Sequence, residues 1–291
     1  MKKWMRFLAS GLLTANAVAA LTACSSEKNA STQKYESSLT WMTTSEVQTL
    51  DQNKMVDTSS GEQATNVFEG LNRMDKDGKV SSGVATTSTS SKDGLTWTFK
   101  LRKNAKWSNG QPVTAQDFVY SLQRMMDPNT QSQQQNNYQA VKNESQVVAG
   151  KKSPNTLGVE AKDAHTLVVH LVHPVPYFKT LTASSWNPVN KDTVQKYGKK
   201  YGTASKYMVY NGPFVSSGWT GSKLSWKLKK NNQYWDKKDV KLKTVNYTVV
   251  KTPSTEYNLY QSGKLDGAFL DTQASKQLKH QDGYRVFKLD R

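Results

Sequence analysis

DGLTWTFKLRKNAKWSNGQPVTAQDFVY, residues 93–120, changes its period half-way along. Leu95, Trp97, Phe99 and Leu101 alternate with Thr96, Thr98, Lys100 and Arg102. A period of two puts four apolar side chains on one face of a strand and the polar ones on the other. Residues 104–111 carry turn chemistry, with Asn109-Gly110 tolerating positive φ. Pro112 blocks a helix before it. Thr114 reads as an N-cap with Asp117 three residues on, a capping-box arrangement. Phe118, Val119, Leu122, Met125 and Met126 form one helical stripe, which Asp127-Pro128 ends. The stretch predicts strand, turn and capped helix.

Its wording says more. The block from Trp97 to Ser121, WTFKLRKNAKWSNGQPVTAQDFVYS, closely resembles the signature of the oligopeptide-binding lipoproteins that feed ABC importers, the extracellular solute-binding proteins of family 5. SEVQTLD at 45–51, NVFEGL at 66–71, PVPYF at 174–178, NGPF at 211–214 and NQYW at 232–235 resemble further motifs of that family. The resemblance implies a mixed α/β (α+β) fold, a type II periplasmic-binding-protein-like lobe carrying an inserted smaller domain. It implies a first lobe at 38–68 and 192–270, the inserted domain at 69–191, and the start of a crossing at 271–291. Family members are roughly twice as long, so the second lobe, which closes over the peptide and holds its amino terminus by a carboxylate, is expected to be missing.

The same resemblance places the loop after Leu50-Asp51 beside an extended peptide, making Val56, Asp57, Thr58 and Ser59 the expected ligand-binding residues. Two departures stand out. Gln52 replaces the usual proline, and Gln134 stands where the family has a tyrosine that packs on the peptide, with Tyr138 the nearest aromatic.

The remainder of the chain reads as scaffold. Residues 39–42 predict a strand, 65–71 a helix, 75–78 a hairpin-like turn, and 81–91 a polar strand and loop within a domain. Alternating strands are predicted around Leu167, Val169 and Leu171, around Leu224, Trp226 and Leu228, and around Val245, Tyr247 and Val249. A short helix over 255–262, stopped by Gly263, precedes a strand at 265–270.

Residues 1–23 read as a lipoprotein signal peptide. Lys2, Lys3 and Arg6 precede a mostly apolar run at 7–18, too short to span a bilayer comfortably. Leu21-Thr22-Ala23-Cys24 has the form of a lipobox, so Cys24 is the expected lipidation site and 24–37 a polar, disordered tether. Cys24 is also the only cysteine, which rules out an internal disulfide. The expected location is the extracellular face of the cell membrane, held by lipid.

The 291 residues suffice for one large or two ordinary domains, and 36% hydrophobic content argues for a folded chain. A net charge of +17, with a denser lysine run at 223–243, could suggest nucleic acid. No nucleic-acid module accompanies it and the export signal argues against one. A solvated basic surface drawn to anionic lipid and wall polymers is the plainer reading. His165, His170 and His173 do not make a metal site, because His170 and His173 would face opposite sides of a strand and no HExxH helix supports them. There is no GxSxG elbow, Walker loop, dinucleotide fingerprint or outstanding carboxylate pair, so no catalytic residue, metal or cofactor is expected.

Three functions remain. The first is peptide capture by cleft closure and delivery to importer permease subunits, as a monomer. The second is a truncated product of the same family with little binding, since one wall leaves a peptide wet and its ordering entropy poorly offset. The third is a basic, surface-attached protein that holds wall polymers or partners.

Overall fold

The computed structural model describes residues 37–75, 77–281 and 283–286, all within one compact unit spanning 35–291. The expected signal segment at 1–23, Cys24, the expected tether up to residue 36 and the end of the 271–291 segment lie outside the described residues. In chain order the elements are β1 (Ser38–Thr43), α1 (Thr58–Val67), β2 (Asn72–Met74), β3 (Val80–Ser82), β4 (Ala85–Ser90), β5 (Thr96–Leu101) and α2 (Ala115–Met126). They continue with α3 (Glu144–Val148), β6 (Val159–Asp163), β7 (Thr166–His170), α4 (Phe178–Ser184), α5 (Lys191–Tyr197), β8 (Phe214–Ser217), β9 (Ser225–Lys230), β10 (Thr244–Val249), α6 (Pro253–Gln261) and α7 (Thr272–Leu278). Helices and mixed sheets alternate, a mixed α/β architecture.

The stretch at 93–120 behaves as its pattern predicts. β5 lies inside an antiparallel sheet of order β4-β5-β7-β6, with Trp97 opposite Val169 and Phe99 opposite Leu167. Its Trp97, Phe99 and Leu101 share one core with α2, which lies over β6 and β7 and whose Phe118, Leu122, Met125 and Met126 are fully buried. The capping box forms as expected: the Thr114 N–H donates to Asp117 Oδ2 at 2.7 Å. This core runs from Leu71 to Trp186, with Trp107, Tyr138 and Phe178 at its centre.

A second core draws on residues far apart in sequence. The sheet of order β1-β10-β9-β8 buries Trp226, Leu228, Val245 and Tyr247 against Val47, Leu50, Val67 and Phe68. β1 runs parallel to β10, while the other pairs are antiparallel. This arrangement makes the first strand of the fold the partner of its last.

Two expectations are corrected. The helix expected at 65–71 lies at Thr58–Val67, and Phe68 is already extended. Its buried face is Ser59, Ser60, Gln63, Ala64 and Val67, so apolar periodicity exposes only its last turn. The segment at 265–270 is not a strand. Asp266 pairs with Thr40 through its own carboxylate, which accepts the Thr40 N–H at 2.6 Å, while its N–H returns to the Thr40 carbonyl at 3.0 Å. A side chain therefore takes the place of the next ladder bond. Gly267 lies against the Trp41 ring so closely that a Cβ there would sit 2.3 Å from it.

Candidate functional site

A groove of about 680 Å3 opens where the loop after β1 meets the chain around Gly70 and the end of α4. Gln52, Met55, Val56 and Asp57 form one bank, and Gly70, Asn72, Met74, Ser184 and Asn187 another. Phe68, Glu69, Arg73 and Tyr234 complete its wall.

The loop is pinned at its base by polar side chains turned inward. Asp51 receives both arms of the Arg124 guanidinium, Nη1 and Nη2 each at 2.7 Å, and Arg124 Nη1 also donates to Asn53 Oδ1 at 2.8 Å. A two-toothed, charge-assisted pair of this kind fixes orientation as well as distance. Asn53 donates to Ser121 Oγ at 3.3 Å. Gln52 is buried, donating to the Pro188 carbonyl at 3.1 Å and accepting from the Tyr201 hydroxyl at 2.6 Å. Burial, together with the Asp51 charge, raises the Tyr201 phenol well above its ordinary range, so it remains a neutral donor. Gln52 is thus an anchor of the loop.

Beyond that base the loop turns outward. Val56 is 61% exposed, an apolar side chain presented to solvent at the groove edge. Asp57 lines the groove, but its carboxylate already caps α1, accepting from the Ser60 N–H at 2.8 Å. Gln134 also lines it, and its amide donates to the Met55 carbonyl at 2.6 Å and the Gln52 carbonyl at 3.2 Å. Gln134 therefore clamps the loop directly, through two of its backbone carbonyls. Thr58 and Ser59 do not line it: Thr58 opens α1 facing solvent, and buried Ser59 bonds Thr43 Oγ1 and Ser45 Oγ toward the sheet. Tyr138 lies in the core, its hydroxyl 2.8 Å from Ser185 Oγ, and is no substitute aromatic for the groove.

The wall holds a group that the motifs name but do not explain. Glu69 is buried, and its Oε1 accepts from the Tyr234 hydroxyl at 2.6 Å and from Arg73 at 3.4 Å, while Oε2 accepts from Trp235 Nε1. Burial raises its pKa, against the pull of the Trp235, Tyr234 and Arg73 contacts. The Asn211 amide brackets the Glu69 backbone, accepting its N–H at 3.1 Å and donating to its carbonyl at 2.7 Å. Arg73 continues to Asp236 at 3.3 Å, and Arg102 lies 3.6 Å over the Trp235 ring. NVFEGL, NGPF and NQYW therefore meet at one junction, a convergence that spacing along the chain could not reveal.

The ring nitrogens of His170 and His173 bond separately, to Glu160 and to the Pro174 carbonyl. Among the described residues no three His, Cys, Asp or Glu side chains gather as a metal site.

A profile of the bacterial extracellular solute-binding proteins, family 5 Middle, matches residues 79–290. The chain belongs to this family. A dipeptide-binding protein of Lactococcus lactis is 40% identical over 84% of this chain and 45% of its own length. The periplasmic oligopeptide-binding protein OppA of Salmonella typhimurium is 40% identical over 89% of this chain and 48% of its own length. The solved structure of Listeria monocytogenes OppA bound to peptide superposes with a TM-score of 0.81 at 39% identity, covering 85% of this chain and 49% of that one. This family 5 chain therefore spans about half the length of these relatives and shares their fold over that half.

Proposed function

We propose that this chain is the substrate-binding lipoprotein of a peptide ABC importer, lining one side of an extended-peptide site with its 52–57 loop. The observation that carries the reading is the groove itself, bordered by a loop anchored through Asp51, Gln52 and Asn53 and presenting Val56 outward. The names of the dipeptide- and oligopeptide-binding relatives point the same way. In this reading residues 38–68 and 192–270 form a first lobe and 69–191 an inserted domain, with 271–291 leading onward. Val56 and Asp57 offer backbone groups and Gln134 holds their loop in place. Cys24 carries the lipid that keeps the protein on the outer face of the membrane, where it passes peptide to the permease without catalysis.

A calorimetric melt of residues 25–291, with and without a mixed pool of short peptides, tests this. A ligand stabilises only the state it binds, and a hundredfold excess over Kd is worth about 2.7 kcal/mol. At roughly 2–4 °C per kcal/mol for a domain of this size, the midpoint should rise by several degrees. A cooperative transition that the pool leaves unmoved would remove peptide binding from this chain.

A further inference from the structure

Eight lysines and two aspartates lie between residues 223 and 243. The fold gathers much of this charge at one end of the β1-β10-β9-β8 sheet. Thr244 pairs with Lys229 on one side and Ser38 on the other. The N–H of Lys243 donates to the Ser37 carbonyl at 2.7 Å, and the N–H of Lys230 to the Lys243 carbonyl at 2.9 Å. Lys238 and Lys241 stand in the loop that enters β10 at the same end.

Lys229, Lys238, Lys241 and Lys243 are exposed, and among the described residues none of them pairs with a carboxylate. Of the two local acids, Asp236 is engaged by Arg73. Asp239 stands alone against the cluster. The adjoining outer face of the sheet adds Lys227, Asn246 and Thr40 in one cross-strand row, at whose far edge the Asp266 carboxylate accepts the Thr40 N–H.

This basic end is also where the chain leaves the fold toward its amino terminus, at Ser37. Twelve residues, 25–36, separate that point from Cys24. Fully extended they reach at most about 40 Å. We propose that the lysine cluster around Ser37 is a docking face for an anionic phospholipid bilayer, so that the tethered molecule sits with this sheet end on the headgroups. The orientation rests on the lipid-anchor reading of Cys24, whereas the affinity of the face does not. The diacylglyceryl group of a lipobox cysteine already brings two acyl chains, so the basic face sets orientation rather than retention, at about fivefold in affinity for each lysine near the surface. With no exposed aromatic in the cluster to insert between lipids, the contact is electrostatic and reversible.

Lipid-free protein of residues 25–291, which contains the whole compact unit, is sedimented with vesicles of phosphatidylglycerol and phosphatidylcholine, and with phosphatidylcholine alone. Binding is expected only to the anionic vesicles, falling steeply with added salt. The variant K229Q/K238Q/K243Q should bind roughly a hundredfold more weakly. The control K92Q/K151Q/K152Q, with the same loss of charge on exposed lysines outside the cluster, should bind like wild type. Near-equal weakening by both variants would mean diffuse charge and overturn the proposal. Tighter binding to a soluble poly(glycerol phosphate) than to vesicles at equal phosphate would also overturn it, in favour of a wall polymer. Circular dichroism of each variant shows that the fold is kept. The mass of the mature protein separately reports whether Cys24 is lipidated, so failure of the anchor and failure of the docking face are told apart.

Discussion

Arg124 shows what a single residue does for the groove. Its two short bonds to Asp51 are largely out of solvent, with side-chain exposures of 14% and 4%. Removing one partner of such a pair leaves a buried charge and costs about 3–5 kcal/mol. Arg124→Met should lower stability by that order in urea titrations and weaken peptide binding. Asp51→Leu/Arg124→Met should recover much of the stability but not the binding, because the loop has lost its anchor. Equal losses in single and double variants would refute this division. Gly202 touches the same loop from behind, with φ +78° and its Cβ position only 2.6 Å from Asp51 N and Cβ. Gly202→Ala should therefore cost about 2 kcal/mol or more, from left-handed backbone and clash together. An unchanged denaturation midpoint would show that the loop yields.

Among the elements, α2 carries a titratable cap. Burial pushes Asp117 up to about 6 from an ordinary value of 3.8, with the Asp192 charge adding to it. The folded state then holds this proton to higher pH than the unfolded state does. The Asp117 contribution to stability is accordingly present below about pH 4, lost as pH rises through 6, and flat above. A shift of this size corresponds to about 3 kcal/mol over that window. Asp117→Asn keeps an acceptor for the Thr114 N–H and cannot ionise. Wild-type stability minus that of the variant, measured by chemical denaturation from pH 4 to 7, should fall as pH rises. A flat or rising difference would count against it.

At the scale of the whole molecule the net charge of +17, of which Lys2, Lys3 and Arg6 supply three and residues 25–291 the remaining +14, works against compactness. Raising salt from about 10 to about 150 mM shortens the screening length from about 30 to about 8 Å. The thermal midpoint of 25–291 should rise over that range, and a fall would show that ion pairs outweigh repulsion. The engaged pairs are few, and Lys162–Glu160 and Lys251–Glu46 are solvent-exposed, which favours the rise.

Where local rules suffice, the sequence determined the outcome. Alternation over 95–101, the Thr114–Asp117 box and the stop at Asp127-Pro128 are short-range effects, and each appears as written. The family was legible for a similar reason, since its motifs are contiguous. α1 was misplaced because its buried face is Ser59, Ser60 and Gln63, residues whose burial depends on partners such as Thr43 and Trp226 far along the chain. The candidate groove was half-legible. Val56, Asp57 and Gln134 line it, but the Arg124–Asp51 anchor, the buried Glu69 and the inward turn of Ser59 depend on contacts between residues up to about 165 positions apart. Whether a polar side chain faces ligand, solvent or another side chain is decided by which partner satisfies its hydrogen bonds, and only the tertiary structure supplies that partner.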